Sequence, residues 1–341
     1  MNGGMNHAGR RGLVAALIML LVGVVIVPAD AQELHISHQF RAEDDSRGRA
    51  AQVFAAEIVR RSPEMKITIH PQLSLGLTRD EQLDALQSGT LDFAVLPFIV
   101  PSKKVVEFSV ALLPGLVADL TVARALKGSE VHAKLQHIAA ENGLRIVTWW
   151  WMRGGFALAA PRAMTTESMA GLKFQSCGLM QDLLARAGAQ LGDEPTSEVP
   201  MLLDMGAIDG VALPYEEFVA LRMHEHVKLA TFRGPSLVTC FSPILMSKKT
   251  WDRLSPQQRK AIDDAAVVAD AYFERAQIEL EDRALVAFEK AGAEVRGLTQ
   301  EEFAGWLGLA RQTVWTRFGE TSELSNELVR AATALVSLSW P

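Results

Sequence analysis

Short apolar runs of strand length alternate along this chain with stretches whose apolar residues recur every three or four positions. Residues 34–40 alternate apolar and polar side chains, which predicts a first strand with Gln39 and Phe40 at its carboxyl end. Val53, Phe54, Ile58 and Val59 then fall on one helical stripe, stopped by Ser62-Pro63. Residues 66–70 alternate again. Thr78 can cap a helix carrying Leu83 and Leu86 that Gly89 ends, and the apolar run 91–96 reads as a buried strand closed by Pro97. A helix over 129–142, ended by Gly143, leads into a strand over 144–151 rich in β-branched and aromatic residues. Side chains alternate along a strand, so Trp149, Trp150 and Trp151 cannot all face one way.

Residues 168–218 carry the clearest alternation. Gly171 closes a helical turn, 172–174 start a strand, and 180–187 have helical spacing ended by Gly188. A second short helix over 198–205 stops at Gly206, and 208–213 is again of buried-strand length. Parallel strands alternating with helices bind ligands at the carboxyl ends of the strands. Residues 175–178 and 213–215 are therefore the first candidates for a pocket wall. Residues 237–246 predict a returning strand. Ser255-Pro256 then opens a helix at the favoured N-cap and first-turn positions. Its pattern runs to Ala291 without Gly or Pro, far beyond an average helix of about 12 residues. Two helices over 300–316 and 320–338 complete the chain.

The first 31 residues stand apart. Arg10 and Arg11, the apolar run 13–27 and Ala29-Asp30-Ala31 form a signal-peptide pattern, so the mature protein is expected to begin at Gln32 in the periplasm. The remainder is long enough for two domains of about 150 residues each. The whole chain has 34 basic and 40 acidic residues, a net charge of −6, and no basic tract, so nucleic acid is not an expected partner. Cys177 and Cys240 are too few for a disulfide framework and default to small buried apolar groups. No Gly-x-Ser-x-Gly, phosphate loop or His-Glu-x-x-His motif is present. His224-Glu225-His226 lies in a charged stretch and reads as solvated surface. The acidic pairs Asp44-Asp45, Glu216-Glu217 and Asp263-Asp264 also read as solvated, because adjacent helix positions do not converge. An enzyme is not expected, nor a cofactor or a metal.

Gly171-Leu172-Lys173, Gly188-Ala189, Ser197-Glu198-Val199, Gly206 with Asp209-Gly210, and Pro214 follow one another in a distinctive order. With Leu75-Gly76 and Gly89-Thr90-Leu91-Asp92 upstream, they resemble the DctP-type solute receptors. Those are the substrate-capturing subunits of tripartite ATP-independent periplasmic (TRAP) transporters. The resemblance runs from about residue 34 to about residue 291. It implies an α/β, two-lobed periplasmic binding protein fold with a hinge, placed at Gly154-Gly155, and a long lobe-spanning helix. Lobe I would hold 32–153 plus about 238–275, and lobe II 154–237 plus about 276–341, sharing the helix 255–291. The implied partners are a small organic ligand and the small and large membrane subunits of a TRAP transporter, with the receptor itself a monomer. A periplasmic sensory protein docking on a membrane receptor is the alternative.

Such receptors grip a substrate carboxylate with an Arg on the strand after Gly-Leu-Lys, where this chain has Gln175. A second Arg of the family pattern falls on Phe156, and a polar residue before the Pro falls on Leu213. Two readings follow. The pocket takes a less charged, more apolar or aromatic solute against Phe40, Phe98, Trp150 and Phe156, the reading favoured by the shared apolar direction of Phe156 and Leu213. Alternatively a relocated Arg still grips an acid: Arg153 is nearest in sequence, with Arg41, Arg47 and Arg79 in facing loops. The expected ligand-binding set is Gln39, Phe40, Phe98, Trp150, Arg153, Phe156, Gln175, Thr196, Leu213 and Tyr215.

Overall fold

The computed structural model describes residues 32–41 and 43–339. The expected signal peptide lies outside the described residues. Twelve strands follow in chain order: β1 (Gln32–His38), β2 (Met65–His70), β3 (Phe93–Val95), β4 (Leu144–Ile146), β5 (Trp151–Leu158) and β6 (Lys173–Ser176). Then come β7 (Gln190–Leu191), β8 (Gly210–Pro214), β9 (Leu229–Thr231), β10 (Thr239–Phe241), β11 (Ile244–Ser247) and β12 (Glu294–Arg296). They build two sheets. The first has the order β2-β1-β3-β11-β4, and the second β12-β9-β5-β8-β6-β7 with β10 paired on β5.

Two of the expected strands are broken in the structure, at the points where the chain passes from one sheet to the other. The run 144–151 splits into β4 in the first sheet and β5 in the second. The run 237–246 splits at Ser242-Pro243 into β10 in the second sheet and β11 in the first. A proline lacks the N–H that a continuous ladder needs, which fits the second break. The two passages lie side by side, with Thr239 opposite Arg153, Cys240 opposite Met152 and Phe241 opposite Trp151. The tryptophans do alternate: Trp149 and Trp151 pack in one core cluster and Trp150 in another, stacked on Phe273 at 5.0 Å.

The helix Pro256–Lys290 spans 35 residues and starts with a capping box of Ser255 and Gln258. Its first half, through Ile262, Ala265, Ala266, Ala269 and Phe273, joins the core of the first sheet. Its second half, through Leu280, Ala284, Leu285 and Phe288, joins that of the second. One rigid rod thus contributes to both cores. Against its alanine-rich first half packs the helix Ser46–Arg61, which buries Ala50, Ala51, Phe54, Ala55 and Ile58. Val59, expected on that stripe, is 39% exposed. Among the described residues no helix is long and apolar enough to cross a membrane.

Gly154 and Gly155 lie inside β5, and close approach rather than freedom explains them. A Cβ on Gly154 would meet the Leu213 carbonyl oxygen at 2.2 Å, and one on Gly155 the Thr231 carbonyl oxygen at 2.2 Å. The backbone N–H of Gly154 donates to Val238 O at 2.9 Å. Glycine is needed there to let strands pack.

Candidate functional site

The carboxyl ends of β1, β6 and β8 carry the groups that meet between the two sheets. β1 ends at His38, and Phe40 follows. Asp45 caps the helix Ser46–Arg61, accepting from the Arg47 backbone N–H at 2.8 Å. The Arg47 guanidinium lies 3.8 Å from the centre of the Phe40 ring. Its Nε and Nη2 donate to the two Asp45 oxygens at 2.9 and 2.6 Å, a bidentate fork. From the second sheet's side Glu217 brings Oε1 to 3.6 Å from Arg47 Nη2. Among the described residues Nη1 makes no hydrogen bond to either carboxylate. Burial works against the charge of Arg47, but the hydrogen bonds to Asp45 and the negative charges of Asp45, Glu217 and Glu216 outweigh it. The guanidinium stays charged.

Glu216 makes a separate tie. Its Oε1 accepts from the Ser46 backbone N–H at 3.2 Å, from the Ser46 hydroxyl, and from Gln277 Nε2 at 3.1 Å. Gln277 Nε2 also donates to Ser46 Oγ at 2.7 Å. A carboxylate at the first turn of a helix suits the helix dipole. The tie joins the helix Ser46–Arg61, the helix Tyr215–Ala220 and the long helix. Both glutamates were expected on a solvated face; instead they are drawn inward, and, as adjacent positions must, they diverge to different partners. Burial raises the pKa of each, against the lowering effect of Arg47.

Several polar atoms around this junction are buried and have no hydrogen-bond partner among the described residues: both ring nitrogens of His38, Gln175 Oε1 and Glu217 Oε2. The Phe40 backbone approaches His38 without meeting hydrogen-bond geometry. Burial lowers the His38 pKa, so its ring is neutral at neutral pH. Native interiors rarely leave such groups unpaired, and those at the strand ends are available to a ligand. Cys177, just past the end of β6, is open to solvent, and Cys240 and Glu217 are among the groups that act on its thiol. Cys177 and Cys240 are free thiols here.

The expected site residues divide. Phe40, under Arg47, and Gln175 belong to the junction, with Gln39 half-buried beside it. Gln175 Nε2 donates to the Glu194 carbonyl at 3.1 Å and to Thr196 Oγ1 at 3.3 Å, which brings Thr196 to it as well. The others are engaged in packing. Phe98 meets Phe241 edge-on at 4.6 Å, and Phe156 sits 5.6 Å from Trp306 in the same core cluster. Trp150 and Leu213 are 0% and 1% exposed, each in a core shared with the long helix. Tyr215 stacks on Phe232 at 4.7 Å and donates to Thr231 O at 3.2 Å. Arg153 is held by Glu281 at 3.1 Å and by the Gly234 carbonyl at 2.6 Å, tying β5 to the long helix. His38 and Gln277 were not singled out from sequence, and Asp45, Glu216 and Glu217 were read there as solvated acidic pairs; the signal available was that Glu216 and Glu217 lie just past a buried strand.

A groove of about 260 Å³ lies elsewhere, lined by Trp149, Trp151, Arg124, Lys127, Asp270 and Glu274. Its rim charges already pair, Lys127 with Asp270 at 2.5 Å and Arg124 with Glu274. The groove also holds a buried donor without a partner among the described residues, Trp151 Nε1; the junction is taken as the candidate site for the buried charge of Arg47.

The family pattern described as bacterial extracellular solute-binding protein, family 7 (DctP), matches residues 36–321. The chain belongs to this DctP family. It is 30% identical to a solute-binding protein of Albidiferax ferrireducens over 89% of this chain and 92% of that one. It is 25% identical to the C4-dicarboxylate-binding periplasmic protein DctP of Rhodobacter capsulatus, over 86% and 89%. Among solved structures, a TRAP periplasmic solute binding protein from Rhodoferax ferrireducens with bound malonate is 28% identical. It superposes with a TM-score of 0.80 over 89% of this chain and 98% of that one. The two-sheet binding-protein fold with its long helix is therefore that of the DctP receptors, proteins that bind solutes and are not enzymes.

Proposed function

We propose that this DctP-family protein is an exported receptor that captures a small organic acid between its two sheets and hands it to TRAP membrane subunits. The observation that carries the acid reading is Arg47. It is a permanently charged guanidinium at the junction whose Nη1 edge neither Asp45 nor Glu217 engages. Unpaired polar atoms of His38 and Glu217 lie near the same guanidinium. The apolar reading drew on Phe156 and Leu213, and both side chains are engaged in core packing. Among the arginines weighed for an acid, Arg153 is already committed to Glu281 and Gly234. Arg47 therefore takes the role that the family pattern assigns to the position of Gln175. The malonate of the Rhodoferax ferrireducens protein and the dicarboxylate in the name of the Rhodobacter capsulatus one agree with an acid. The lobes that close would be 32–153 with about 238–275, and 154–237 with about 276–341. The mature chain would begin at Gln32 in the periplasm and act as a monomer.

Calorimetry against a panel of short carboxylic acids, with and without amino substituents, tests this. Wild type and Arg153→Ala should bind at least one member below millimolar concentration. Arg47→Gln, checked for folding by thermal unfolding, should lose that binding. Retention by Arg47→Gln, or loss in Arg153→Ala alone, would remove Arg47 from the site.

A further inference from the structure

One guanidinium faces two carboxylates at the junction, and they are not equivalent. Asp45 forms the full fork on Arg47, at 2.9 and 2.6 Å, whereas Glu217 stands off at 3.6 Å. The second Glu217 oxygen is buried with no donor among the described residues. A solute carboxylate on Arg47 would be a third acid around one cation. In a buried place that adds repulsion, unless the solute brings a cation of its own.

We infer that the solute is a 2-amino acid, whose carboxylate takes the free edge of Arg47 while its ammonium group sits against Glu217. The inference rests on the proposed binding of an acid by Arg47 and adds its substrate class. The geometry suits it, because the two ionic groups of a 2-amino acid hang on one carbon and the groups that would receive them are neighbours. Glu217 Oε2 would gain the donor it lacks. Burial raises the Glu217 pKa, and an arriving ammonium supplies the opposite charge that favours the ionised form. A site built to accept a buried donor also discriminates, since a solute without that donor leaves the acceptor unpaired.

Calorimetry with matched trios of amino, hydroxy and keto acids on one carbon skeleton tests the assignment, for example alanine, lactate and pyruvate, or glutamate, 2-hydroxyglutarate and 2-oxoglutarate. In at least one trio the amino acid should bind about tenfold or more tightly than its two counterparts. Glu217→Gln, isosteric and verified as folded by thermal unfolding, should erase that preference by weakening the amino acid alone. Glu217→Asp should retain part of it. Binding of hydroxy or keto acids as tightly as amino acids in every trio would overturn the inference, as would a preference that survives Glu217→Gln. If those acids still need Arg47, the proposed function stands and only the solute class falls. If no acid binds wild type, both fall together.

Discussion

At the scale of single residues, the junction concentrates charge in a place with little water, and that sets its sensitivity. Removing Arg47 leaves Asp45 and Glu217 without their cation, and breaking a buried pair from one side costs about 3–5 kcal/mol. Arg47→Ala should lower unfolding free energy by that order in urea titrations; a loss under about 1 kcal/mol would mean that the fork contributes little to the fold. Glu217 should act on pH dependence in a defined direction. Its folded pKa lies above the ordinary 4.5, because burial disfavours the charged form. Such a group stabilises the fold fully below the unfolded pKa and loses that contribution as pH rises through the folded value. Glu217→Gln should therefore lose less stability than wild type between pH 5 and pH 8 in the absence of solute. Equal pH slopes for the two proteins would contradict the shift.

At the scale of elements, β5 and the long helix hold the site in place. β5 is pressed between β8 and β9, and its two glycines exist for that contact. Gly154→Ala drives a methyl group into the Leu213 carbonyl and the Pro214 backbone, so overpacking of about 1–3 kcal/mol or more is expected. A merely flexible hinge glycine would accept alanine at little cost, and a near-neutral Gly154→Ala in chemical denaturation would restore that explanation. At the start of the long helix, Ser255 accepts from the Gln258 backbone at 3.2 Å. Ser255→Ala should cost about 1 kcal/mol while leaving solute affinity unchanged, since the cap is remote from the junction along a 35-residue rod. Thermal unfolding and calorimetry on the same preparation would show the separation.

At the scale of the whole body, the tie among Ser46, Glu216 and Gln277 is where the two sheets' helices and the long helix meet. It joins elements that a closing motion would bring together, and the proposed solute would add further contacts across the same junction. A ligand shifts such an equilibrium only by its differential affinity for the closed form. Glu216→Ala, which leaves the Ser46 backbone N–H without this acceptor, should populate a more open form. Small-angle scattering of the solute-free variant should give a larger radius of gyration than wild type, and solute affinity should drop. Identical scattering curves with unchanged affinity would show the tie to be incidental to closure.

What the sequence determined by itself was local and periodic. The helix from Ser255, capped by its own Ser-Pro start, was legible because hydrophobic spacing and capping chemistry depend on neighbours in the chain. So were the Thr78 cap, the Gly89 stop and the family order of motifs through 171–214. Tertiary structure alone decided which side chains pack and which meet at the strand ends. Phe156 and Leu213, read from sequence as pocket wall, lie in the core, because an apolar side chain on a strand carries no mark of what its face meets. Glu216 and Glu217 read as solvated because charge is ordinarily left in water. They are buried only because Gln277, 61 residues away, and Ser46 and Arg47, each 170 residues away, supply the partners. Long-range pairing of that kind offsets a desolvation cost that no local window records.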